Sequence, residues 1–221
     1  MAFISIFDVI GPNMVGPSSS HTAGACSIAL IAKKMFAKNI KNITFILYGS
    51  FAKTYKGHGT DRALLGGSLG FSSDDLNIRN SFDIAKQKGI NFSFEESNLD
   101  QQHPNTVDVC MESENGEKMV VRGESIGGGK VKITAIDDVK VEFFGEYPTL
   151  IIEHLDKRGV LAHIANCLQD ANTNIAFVKS SRDAKGEKSH SIIECDDKIS
   201  KDVIDALKQN PNIKNVMLVQ I

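Results

Sequence analysis

The chain has 221 residues, 42% hydrophobic and 24% charged, a composition of soluble globular proteins with length for one large or two small cores. Its 25 Lys and Arg against 27 Asp and Glu leave a net charge of −2 with no basic block, which argues against nucleic acid as a partner. No apolar run approaches the roughly 20 residues that span a bilayer, and Met1-Ala2-Phe3-Ile4-Ser5 lacks the pattern of a signal peptide, so the sequence predicts a cytoplasmic chain.

The first informative segment is Gly16-Pro17-Ser18-Ser19-Ser20-His21-Thr22-Ala23-Gly24, directly before an apolar helical run from Ala23 to Phe36. Small hydroxyl residues favour helix caps, so the polar cluster belongs at a helix N-terminus. Unpaired N–H groups and the positive end of the helix dipole meet there, which suits a carboxylate or phosphate. His21 adds a group that moves protons near neutral pH. A serine-rich cap beside an exposed histidine would read the same way locally. Ile43 to Tyr48, rich in aromatic and β-branched residues and bounded by Gly49-Ser50, reads as a buried strand. The connector Lys53 to Asp61 follows, with Gly57 and Gly59 flanking His58, and Thr60 or Asp61 is placed to cap a helix running through Arg62 to Leu65. Two strand–helix edges, each with one histidine among small polar residues, are read as one site.

Further along, Asn80-Ser81 opens a helix that stops at Gly89, and Ile90 to Phe94 is strand-like. His103-Pro104-Asn105-Thr106 has good turn chemistry. Thr106 to Met111 and Lys118 to Arg122 alternate around Asn115-Gly116, a hairpin signal. Gly127-Gly128-Gly129 separates them from strands at Lys130 to Ile136 and Val139 to Phe144; the triplet suits a loose turn or bulge, or backbone approach to an anion. A boundary falls near Tyr147-Pro148, giving domains at 1–146 and 148–221. Beyond it, Leu150 to Leu155, Gly159 to Leu168, Ile175 to Ser180, Ser189 to Glu194, Lys201 to Leu207 and Ile213 to Val219 follow β-α-β-β-α-β order, the ferredoxin-like split pattern. Gly159 turns the chain into its helix, and Asp156 either caps that helix or meets an ammonium group. The fold class is α/β in the α+β sense, with a mixed N-terminal domain. His154, His163 and His190 fall inside regular elements without partner clusters and call for no function.

Cys26, Cys110, Cys167 and Cys195 are scattered, without the spacings of iron–sulfur or zinc sites, and read as buried free thiols.

Val15-Gly16-Pro17-Ser18-Ser19-Ser20-His21-Thr22, Lys56-Gly57-His58-Gly59-Thr60-Asp61, His103-Pro104-Asn105-Thr106 and Ser125-Ile126-Gly127-Gly128-Gly129, in this order and spacing, resemble the β subunit of the iron–sulfur L-serine dehydratases. The likeness spans essentially the whole chain, and Asp156-Lys157-Arg158-Gly159-Val160 with Asn174-Ile175 resembles an ACT domain. It implies conversion of L-serine to pyruvate and ammonia, with a [4Fe–4S] cluster held by a separate α subunit and no metal ligand in this chain. One iron of that cluster would act as a Lewis acid on the serine hydroxyl while a base removes the Cα proton. Catalytic groups are then sought among His21, Thr22, His58, Thr60 and Asp61, and substrate contacts among Ser18, Ser19, Ser20, Gly57 and Gly59. His103, Asn105, Gly127, Gly128 and Gly129 would form part of the active-site wall. Asp156, Gly159, Val160, Asn174 and Ile175 would bind a small amino acid, with self-association through the ACT domain. The alternative is a regulatory module, because the N-terminal layer also resembles the allosteric substrate-binding domain of some phosphoglycerate dehydrogenases, where an ACT domain follows. Roles for His21 and His58 are not allotted, and the base itself is open to lie on the α subunit.

Overall fold

The computed structural model describes residues 12–99 and 103–220. The start, Met1 to Ser5, from which the absence of a leader is read, lies outside the described residues. Two compact units divide the chain, one ending at Phe144 and the other beginning at Gly145.

In the first unit a π-helical turn, Ser19–Gly24, runs directly into α1 (Ala25–Phe36). It is followed by β1 (Ile40–Leu47), α2 (Gly49–Thr54), α3 (Thr60–Ser68), a 3₁₀ turn Leu76–Asn80 and α4 (Ser81–Gln87). The strands β2 (Asn91–Glu96), β3 (Thr106–Ser113), β4 (Lys118–Gly127), β5 (Lys130–Ile136) and β6 (Val139–Phe143) complete it. They form one sheet in the order β2-β1-β3-β4-β5-β6, with β1 and β2 parallel and the remaining pairs antiparallel. Alternation sorts the faces: Phe45, Val109 and Val121 stand opposite one another in register and are fully buried, as are Ile28 and Ile31 of α1 and Leu64 and Leu65 of α3. The two helices meet at backbone distance, because a Cβ on Gly67 would lie 2.2 Å from the Cys26 carbonyl oxygen.

Two local readings are corrected. The Gly49-Ser50 strand boundary and the first two residues of the Lys53–Asp61 connector belong to one helix, Gly49–Thr54, where the Ser50 and Phe51 N–H groups both find the Pro104 carbonyl of a distant turn. The strand expected to stop at Arg122 runs on to Gly127, since its pairing with β5 continues through two register shifts. Gly127, Gly128 and Gly129 all have left-handed φ (102°, 61° and 80°) and turn β4 into β5, so the turn-or-bulge reading describes their backbone.

The second unit runs β7 (Thr149–Leu155), α5 (Val160–Asp170), β8 (Ile175–Arg182), β9 (Lys188–Cys195), α6 (Lys201–Leu207) and β10 (Ile213–Val219). Its antiparallel sheet has the order β10-β7-β9-β8, the ferredoxin-like arrangement. Leu150, Ile152, Ile193 and Val216 of the sheet close on Val160, Ile164 and Leu168 of α5 and on Val203 and Leu207 of α6. Edge strand β8 is exposed along nearly its whole length, Phe177 and Val178 included. Among the described residues, no helix is long and apolar enough to cross a membrane.

Candidate functional site

Ser18 is the N-cap of the π-helical turn, and its hydroxyl accepts from the His21 N–H at 3.1 Å. Ser18 Oγ lies 3.3 Å from Ser20 Oγ, Ser20 Oγ lies 3.0 Å from His21 Nδ1, and His21 Nε2 lies 3.0 Å from Ser50 Oγ at the start of α2. Both nitrogens of one half-buried imidazole therefore face hydroxyls. Phe51 meets the ring edge-on with centroids 5.4 Å apart, and the His58 ring lies 4.9 Å away, tilted by 33°. Burial first, and then the neighbouring His58, holds the His21 imidazolium below its ordinary range, so the neutral base form is favoured.

His58 reaches this position through its backbone. The buried Thr22 hydroxyl donates to the His58 carbonyl at 3.0 Å, tying the two loops together. His58 Nδ1 faces the Thr54 carbonyl at 3.3 Å. Gly59, at φ 66°, is the N-cap of α3, so neither Thr60 nor Asp61 caps that helix as the sequence suggests. Asp61 instead accepts from the adjacent Arg62 N–H at 2.8 Å, and burial pushes its carboxyl up. Thr60 Oγ1 is wholly buried and has no hydrogen-bond partner. A hollow of about 220 Å³ opens beside His58, lined by Gly16, Pro17, Thr22, Gly59, Arg62 and Arg79 among others. Of these, Arg62 donates from Nη1 to the Arg79 carbonyl and lies over the Phe82 ring, 5.0 Å from its centroid.

The remaining wall arrives from β3 and β4. The Asn105 N–H donates to His103 Nδ1 at 3.2 Å, so His103 is spent on its own turn, while Pro104 supplies the carbonyl that holds Ser50. Asn105 and Ser125 pair through their backbones at 2.9 Å. Asn105 Oδ1 and Ser125 Oγ are buried without partners. Ser125 lies against Gly24 so closely that a Cβ there would sit 2.0 Å from its Oγ, and a Cβ on Gly129 would lie 3.7 Å from that of Ala23. Gly57 and Gly128 contribute backbone only. Ser50, Phe51 and Ser125 were not among the expected site residues; the one signal for Ser50 was a Gly-Ser strand end.

Ligand roles for the thiols are disfavoured by their chemistry. Burial pushes Cys26 up to about 12 and Cys110 and Cys195 up to about 11, and the Cys26 thiol donates to the Phe71 carbonyl. Among the described residues, no group of three or more His, Cys, Asp and Glu side chains is placed to hold a metal ion.

In the second unit, Gly159 at φ 87° is the N-cap of α5 and Val160 its first residue, fully buried. Asp156 neither caps α5 nor stands free: Arg182 Nη1 and the Gly186 N–H hold its carboxylate at 2.9 and 3.0 Å, and depress its pKa. Asn174 donates to Asp196 at 2.6 Å, and Ile175 packs at the margin of the core. The expected ligand residues thus lie in two places, at the β7–α5 turn and at the start of β8. His190, for which the sequence calls for no function, has its Nε2 buried without a partner.

An imidazole with a hydroxyl at each ring nitrogen, beside a second histidine from a separate loop, is the geometry this two-unit α+β chain builds. The chain belongs to the serine dehydratase beta chain family, whose model matches residues 5–135. It is 46% identical to the L-serine dehydratase beta chain of Peptoniphilus asaccharolyticus, over 94% of this chain and 92% of that one. It is 40% identical to the probable L-serine dehydratase beta chain of Bacillus subtilis, over 98% of each. A D-3-phosphoglycerate dehydrogenase of Methanocaldococcus jannaschii is 28% identical over 86% of this chain and 36% of its own length.

Proposed function

We propose that this chain is the β subunit of an enzyme that converts L-serine to pyruvate and ammonia, and that it works against a [4Fe–4S] cluster held by a separate α subunit. The observation that carries the reading is the His21–His58 pair, brought to 4.9 Å from two loops of the family motif. In this account the N-terminal turn at Ser18, Ser19 and Ser20 holds the substrate carboxylate, where unpaired N–H groups and the helix dipole favour negative charge. Neutral His21 accepts or relays a proton at a ring nitrogen, and Thr22 keeps His58 in register by bonding its carbonyl. The scattered thiols leave cluster binding to the partner. The second unit serves as an ACT-type sensor of a small amino acid, and its exposed β8 edge is the surface for self-association.

Anaerobic reconstitution with iron and sulfide tests the division of labour. The isolated chain should stay colourless and inactive, whereas co-expression with the α subunit should yield a brown complex that forms pyruvate. A stoichiometric cluster on the isolated chain would overturn it. The regulatory reading has one specific support, the likeness to the dehydrogenase; it predicts amino-acid binding with no turnover in any complex.

A further inference from the structure

Ser50 is anchored without the help of its own side chain. Its N–H donates to the Pro104 carbonyl at 2.7 Å, and its carbonyl accepts from Thr54 Oγ1 at 2.8 Å. Two residues earlier, the Tyr48 N–H donates to the Thr106 carbonyl, and the Tyr48 hydroxyl donates to Asp108 at 2.8 Å. Arg122 grips both oxygens of that carboxylate at 2.6 Å. Gly49, at φ 55°, lets the chain pass the Pro104 carbonyl, which a Cβ would approach to 2.5 Å. The hydroxyl is therefore a fixed point presented by a rigid strand end, and it faces His21 Nε2 at 3.0 Å.

A neutral imidazole carries one N–H, so of the two hydroxyls on His21 one must donate and the other accept. Ser18 Oγ already accepts from the His21 N–H, which frees its proton for Ser20. Ser20 can then donate to Nδ1 while Nε2–H donates to Ser50; run in reverse, the same chain also leaves each group paired. Whichever direction holds, Ser50 terminates the chain. We propose that Ser50 is the positioning residue of His21, fixing the plane of its ring and keeping Nε2 paired in either tautomer. Without Ser50 Oγ, Nε2 loses its partner in a half-buried site and the ring keeps one hydrogen bond, to Ser20.

The kinetic part of this inference rests on the dehydratase reading, and the spectroscopic part does not. Nitrogen-15 NMR of the full chain, with His21 assigned against a His21→Gln variant, reports the tautomer directly. The wild type should show both ring nitrogens hydrogen-bonded, Ser50→Ala a displaced Nε2 shift, and Ser50→Thr, which keeps a hydroxyl, the wild-type pattern. Thermal melting confirms that each variant is folded. In the α–β complex, Ser50→Ala should lower kcat on the order of tenfold or more, with KM little changed and a displaced acid limb of the pH profile. Wild-type ring shifts in a folded Ser50→Ala variant would overturn the positioning role. Altered ring shifts with undiminished turnover would uphold it and contradict instead the proton-transfer role of His21.

Discussion

His21 shows how much of the site's chemistry depends on its surroundings. Its pKa is depressed by burial and by His58, so in the folded chain it stays neutral below the ordinary value of about 6.5. The acid limb of kcat/KM, measured between about pH 5 and 8, should therefore fall below about 6.5. His58→Gln removes the second cause and leaves burial in place, so the limb should move to higher pH; a stationary limb would separate the two rings electrically. The sign for stability follows: as pH falls through the unfolded value the unfolded chain binds the proton first, so the contribution of neutral His21 is lost on acidification. The sequence made this pair legible because each histidine sits in a dense run of small polar residues at a strand–helix edge. It hid Ser50, whose partner is 29 residues away. Asp156 misled for the same reason: local chemistry suggested a cap, whereas its partner Arg182 lies 26 residues on.

At the scale of elements, the start of α1 and the end of β4 are packed as one piece. Gly24→Ala would drive a methyl into Ser125 Oγ, and overpacking of this kind costs about 1–3 kcal/mol. Urea unfolding should show that loss, and Gly24→Ala with Ser125→Gly should be more stable than Gly24→Ala alone. Equal stability of the single and double variants would mean that the turn relaxes away from β4. The helices and strands themselves were largely readable from period and turn chemistry: α1, the β3–β4 hairpin around Asn115-Gly116 and the whole βαββαβ order fall where the pattern places them. The exceptions were decided at long range. Helix α2 depends on a carbonyl from the turn before β3, and the last residues of β4 depend on pairing with β5, neither of which leaves a local periodic mark.

Across the whole chain, the two units have separate cores, so truncation after Gly145 should leave the first one folded. If the second is a sensor, the truncated chain should still assemble with the α subunit and turn over L-serine, with the coupling lost on the order of 1–3 kcal/mol. An identical serine saturation curve would reduce the second unit to assembly. Turn chemistry and element order mark a boundary near Tyr147-Pro148 in the sequence, but the role of the second unit leaves less trace there, because its expected ligand residues are bonded within the unit. The proposed function has His21 and His58 handling protons in an L-serine dehydratase. Pyruvate formation from L-serine by the anaerobically prepared α–β complex is the measurement that separates this from a structural role. His21→Ala should lower kcat on the order of a hundredfold or more, with His163→Ala close to wild type; near-normal turnover with His21→Ala would rule the proton role out.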